Sequence, residues 1–152
     1  MWKSKRNVTI TYTPLPESSE NADSSETDRL DDLVSYQSLD ADKVHTVHGV
    51  DKASAKGSYD AWDWRGKGWL MIASSHWEVL AWGEESRSSN PWAVTYFAKT
   101  LFTPAGLDVY SKSPAGLQSG TLQQIKDALA ASSTPGVKSL ASEIFEIKMD
   151  GR

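Results

Sequence analysis

The side chains of this chain best suited to binding or transforming a molecule are three imidazoles, a few carboxylates and an excess of indoles. On a regular strand His45 and His48 fall on opposite faces, and His76 is predicted at a turn, so the histidines do not read as a metal site. An inward His48 or His45 can donate to a ligand carbonyl or act as a base, since an unperturbed imidazole titrates near pH 6.5. Surface histidines are the plainer reading. Asp31 with Asp32, and Asp60 with Asp63, form carboxylate pairs that acidic loops also explain. Ser74-Ser75-His76 lacks the Gly-x-Ser-x-Gly turn of a nucleophile elbow, and Gly66-Lys67-Gly68 is too short to cradle a phosphate.

Seven Trp stand against three Phe, and such rings either fill a wide core or line a ligand pocket. Trp62 and Trp64 beside Trp69, Trp77 and Trp82 make an aromatic box for a planar or polyene ligand, in which each stacked pair adds roughly 0.5–1.5 kcal/mol beyond area burial. Core filling accounts for the same residues. Over residues 92–99, period-two alternation puts Trp92, Val94, Tyr96 and Ala98 on one face and Ala93, Thr95, Phe97 and Lys99 on the other. The first set mixes large and small groups around a phenol, as a pocket wall does, and Tyr36 and Tyr110 join the candidate lining. If the pocket is catalytic, His48, Asp63, Tyr96 and Lys99 are the groups able to position or protonate a substrate.

These candidates need elements to hold them. A chain of 152 residues fits a single domain. Net charge is −4 with scattered Lys and Arg, so the basic footprint that holds a phosphate backbone is missing and nucleic acid is not expected as a partner. No run approaches the about 20 apolar residues of a spanning helix, the basic start has no apolar stretch after it, and Cys is absent. The expectation is a cytoplasmic protein without disulfides, not bound to a membrane.

Alternation of Val8, Ile10 and Tyr12 with threonines predicts a strand over residues 5–13. A Ser-rich acidic loop over residues 17–28 follows. Further strands are predicted over residues 29–37, 43–50, 59–64, 69–74, 77–82, 92–100 and 107–111, with turns at the Gly66-Lys67-Gly68, Ser75-His76 and Pro104-Ala105-Gly106 steps. Leu122, Ile125 and Leu129 share one face of a helix predicted over residues 121–131, with Thr121 as its cap. The tail over residues 141–149 suits either a helix or a short strand that closes the sheet.

Successive strands followed by one amphipathic helix are the layout of a calycin, and three segments carry a closer likeness. His76-Trp77-Glu78-Val79-Leu80-Ala81-Trp82, Trp92-Ala93-Val94-Thr95-Tyr96-Phe97 and Gly106-Leu107-Asp108-Val109-Tyr110-Ser111-Lys112-Ser113-Pro114 resemble successive strands of bacterial-type lipocalins. The run from Asp60 to Trp69 is similar to that of small fungal lipocalin-like proteins. Lys112 stands where the family usually has Arg, and the family's opening Gly-x-Trp does not precede Lys5. The resemblance implies an all-β, up-and-down barrel of about eight strands with a packing helix. The first strand's place would be filled by residues 141–149 or by a second copy of the chain in a homodimer. It further implies that the barrel binds a small, largely apolar molecule, such as a secondary metabolite, pigment or lipid-like compound, with no cofactor. The alternative is a cofactor-free isomerase or cyclase acting in the same cavity.

Overall fold

The computed structural model describes residues 1–16, 28–55, 57–101 and 103–151. The loop expected over residues 17–28 lies outside the described residues except for Asp28. Seven strands form one antiparallel sheet in simple sequence order: β1 (Lys5–Pro14), β2 (Arg29–Ser38), β3 (Val44–Ala53), β4 (Ala61–Gly66), β5 (Ser74–Glu85), β6 (Asn90–Phe97) and β7 (Gly106–Ser111). Two helices follow, α1 (Ser119–Ala130) and α2 (Pro135–Ala141).

The sheet curls. Tyr12 on β1 stacks on Trp77 of β5 at 5.7 Å between ring centroids, and its hydroxyl hydrogen-bonds with Tyr110 of β7. Those partners lie four and six strands away, a reach that a flat sheet with strands about 4.8 Å apart forbids. The result is a half-barrel, with a concave face where Tyr12, Asp32, Asp51, Trp77 and Tyr110 meet.

Two strand expectations need correction. Residues 69–73 of the strand expected over 69–74 are not a strand, and Ser74 opens β5: Gly68 takes a φ of 61°, a 3₁₀ turn runs Gly68–Leu70, and Trp69 and Ile72 are 86% and 79% exposed. The apolar run Trp69-Leu70-Met71-Ile72 there has no buried residue, so no sheet face selects it. Ser75 and His76, expected at a turn, instead lie inside β5 and pair with Trp64 and Asp63. Among the described residues the meander therefore has seven strands, where about eight were expected.

The tail does not form a closing strand either. After α2 it runs irregularly to a single parallel bridge between Arg6 and Lys148. Asn7, at a β1 irregularity with φ 51°, donates its backbone N–H to the Lys148 carbonyl, and its side-chain oxygen accepts from the Asp150 N–H. Arg6, 4% exposed, fixes that corner by donating to Asp42 at 2.6 Å and to Asp150.

The helix prediction is close, with α1 starting at Ser119 rather than residue 121. Thr121 does not cap it. The β5 carboxylate of Glu85 accepts the Gln118 N–H at 2.9 Å and also bonds Thr121. Ile125 and Leu129 then pack with Val94 of β6 and Ala141 of α2, and Trp92, Leu107 and Val109 surround them. This apolar core sits on the side of β6 and β7 away from Tyr110, because Val94 pairs Val109 while the alternate residues Thr95 and Asp108 share Tyr110's face.

Candidate functional site

The concave face is built by alternation. Register sets Tyr12 opposite Asp32, Asp32 opposite Gly49, Asp51 opposite Trp64, and Trp62 opposite Trp77. Trp64 hydrogen-bonds Asp32, and a Cβ on Gly49 would collide with that indole, so the missing side chain is what lets the ring lie across β3. Trp77 donates its Nε1–H to Asp51 Oδ1 at 2.7 Å and stacks on Trp62 at 5.9 Å. A closed ring results: Tyr12, Asp32, Trp64, Asp51 and Trp77 each meet the next, and Trp77 returns to Tyr12.

Beyond this ring Tyr110 reaches Tyr12, and Trp2 hydrogen-bonds Asp108. Tyr36 closes the other end between Trp2 and His45, whose rings lie 5.5 Å from it on either contact, with the Lys5 ammonium 5.1 Å from its centroid.

Carboxylates so placed hold their protons. Burial, then the neighbouring Asp51 and Asp31 charges, push Asp32 up to about 7 against the pull of the Trp64 bond. Burial alone raises Asp51 to about 6, opposed by Trp77, and Asp108 also rises to about 6 by burial, opposed by the amino terminus and Trp2. The Tyr12 hydroxyl is driven far up by burial and by Tyr110, and Tyr110 by burial and Asp108.

Asp51 is fully buried and Asp32 is 7% exposed, yet Asp32 Oδ1 and Asp51 Oδ2 have no hydrogen-bond partner among the described residues. A buried carboxylate oxygen left unpaired is costly, and such groups mark sites where something else binds.

The sequence candidates divide. Tyr36, Trp62, Trp64, Trp77 and Tyr110 lie on the concave face. The others stand outside that cluster. His48 points outward, where Asp31 holds its Nε2 at 2.9 Å and also takes the Lys67 ammonium. Asp63 accepts from His76 Nδ1 at 2.8 Å on the outer face; that bond is the main reason Asp63 is held low and His76 high. Trp92 lies over Gly83, under the helices. The Trp92, Val94 and Tyr96 face taken for a pocket wall is thus the helix-packed one, and Ala93, Thr95 and Phe97 occupy the inward positions. Trp82 pairs with the inward Ala93 but is 80% exposed, and Trp69 at the β4–β5 turn is 86% exposed. Lys99 lies beyond β6 and lines a rim cleft of about 430 Å³ with Ile72, Ser74 and Leu101.

Tyr12, Asp51 and Asp108 were missed as site residues, and Asp32 was set aside as part of an acidic loop. A signal was available, because Asp32 falls two residues before Val34 on a strand with apolar residues at every second position, and so on its inward face.

Among the described residues no helix is long and apolar enough to cross a membrane, and no three His, Asp or Glu side chains are grouped to hold a metal ion. No family model matches the chain, and neither curated proteins nor solved structures yield a match.

Proposed function

We propose that the concave face binds a small molecule with a largely apolar body, in the manner of a lipocalin-type carrier. The supporting observation is where the chain puts its packing. One tight apolar cluster lies outside the half-barrel, beneath α1 and α2, whereas on the concave side Trp2, Val34 and Trp62 are buried and Tyr12, Tyr36, Trp64, Trp77 and Tyr110 are only half-buried. Large rings left half-wet around two unpartnered carboxylate oxygens are poor core and good pocket.

Titration with the neutral fluorophore N-phenyl-1-naphthylamine tests this reading. Saturable emission at one site is expected, weakened several-fold by Trp64→Ala and unchanged by Trp69→Ala, whose ring stands in solvent at the β4–β5 turn. Non-saturating emission, or equal loss in both variants, would remove the proposal.

One feature favours a second reading, the cofactor-free isomerase or cyclase. Asp32, raised to about 7, is partly protonated at neutral pH beside Asp51, so a proton given by one to a bound alkene or carbonyl can be matched by a proton taken from the same substrate by the other. The net change is then an isomerisation with no proton gained or lost. Recovery of a bound compound chemically changed selects the enzyme, and recovery unchanged selects the carrier.

A further inference from the structure

The two orphaned oxygens limit what the guest can be. Asp32 Oδ1 and Asp51 Oδ2 are both buried on adjacent strands of one face, and the charges acting on Asp32 are those of Asp51 and Asp31. Among the described residues neither Asp32 nor Asp51 forms an ion pair. Several cations of the fold are engaged elsewhere: Arg6 with Asp42 and Asp150, Lys67 with Asp31 on the outside, Lys5 over Tyr36, and the amino terminus acts on Asp108. Around the two carboxylates stand the rings of Tyr12, Trp62, Trp64 and Trp77.

Buried, unpaired acids walled by electron-rich faces form the environment that an organic cation prefers. An anion would meet a third carboxylate, Asp108, on the same concave face, and a neutral apolar guest would leave both oxygens unsatisfied. For a metal ion, no three His, Asp or Glu side chains are grouped as ligands among the described residues.

We infer that the guest carries a protonated amine on a planar apolar body, its ammonium donating to Asp32 and Asp51 and its body lying against Trp62, Trp64, Trp77 and Tyr12; this rests on the binding-site reading above. The ammonium has three N–H donors for the two free oxygens, and ring faces take up the remaining charge.

Binding should then depend on pH in a defined sense. Over the mildly acidic to neutral range, rising pH takes protons from Asp51 and Asp32 while an alkylamine keeps its own, so attraction grows. The other titratable groups facing them are the Tyr12 and Tyr110 hydroxyls, which stay protonated, Asp31, held ionised by Lys67 and His48, and Asp108 near Tyr110. Asp108 titrates alongside the pair, in the same direction, and His45 stacks on Tyr36 at the far end of the face.

The test uses three pyrenes of one shape on the full chain: 1-pyrenemethylamine, 1-pyrenemethanol and 1-pyrenecarboxylate. At pH 7.5 the amine is expected to bind about tenfold or more tighter than the alcohol, and the carboxylate weakest. At pH 5 the preference for the amine should shrink severalfold. Asp32→Asn with Asp51→Asn should erase it, the amine and the alcohol then binding alike. If the three probes bind equally at both pH values, the amine assignment is wrong and the pocket stands. If none binds, the pocket reading fails and the assignment with it. Should the double variant not fold, the pH comparison on the unmodified chain decides alone.

Discussion

Asp32 sits opposite Tyr12 on one neighbouring strand and Gly49 on the other, a position with an indole for a donor and no cation. Ionisation there works against folding. The folded-state value, about 7, stands above the ordinary aspartate value of 3.8, so the group favours the folded state fully below 3.8 and that contribution is lost as pH rises through 7. Asp51 behaves alike between 3.8 and about 6. Asp32→Asn should therefore raise Tm by several degrees at pH 8 and change it little at pH 4, as scanning calorimetry at the two pH values would show. An equal shift at both would mean that the carboxylate is solvated in the folded chain. A stabilising substitution that also weakens amine binding is the pattern expected where a site is kept at the fold's expense.

At the scale of elements, the sheet is a partition with different chemistry on its two sides. On one, Ile125 and Leu129 of α1 press on Val94, and Glu85 at the far end of β5 anchors the helix start. On the other lie the rings and carboxylates. Ile125→Ala should cost about 2–5 kcal/mol in denaturant unfolding, as buried Ile truncations do, while N-phenyl-1-naphthylamine binds with unchanged affinity. Loss of binding in step with stability would show that helix core and pocket are one compartment.

The sequence made this helix legible through the spacing of Leu122, Ile125 and Leu129, and made most strands legible through alternation. It misled where an apolar run is left unburied. Trp69, Met71 and Ile72 read as strand but stand in solvent around a glycine turn. It also left open which face of a strand looks inward: β6 offers Trp92 and Val94 or Ala93 and Thr95 with equal regularity, and only the helices, packing on the larger set, decide. Asp51 carried even less signal, because a buried acid follows no hydrophobic pattern and is identified by the indole that reaches it from β5.

The molecule as a whole is a sheet whose first and last strands are joined by side chains rather than by a backbone ladder. β1 and β7 end the strand order, and the Lys148 bridge touches only the start of β1. Across the remaining gap the Tyr12 hydroxyl meets Tyr110, and Trp2 meets Asp108. A half-barrel held in this way can part along that line while its inner strands β3 and β4 stay paired on both sides. Tyr12→Phe keeps the stack on Trp77 and deletes only the hydroxyl, so it should cost about 0.5–1.5 kcal/mol, the net worth of one hydrogen bond. Hydrogen exchange gives the sharper readout. Amides of β1 and β7 should exchange faster in the variant, while those of β3 and β4 keep the protection of the parent chain. Uniform acceleration across all strands would mean that the half-barrel opens only by global unfolding, and a guest would then have to enter through the rim, near Ile72, Lys99 and Leu101, rather than through the gap between the first and last strands.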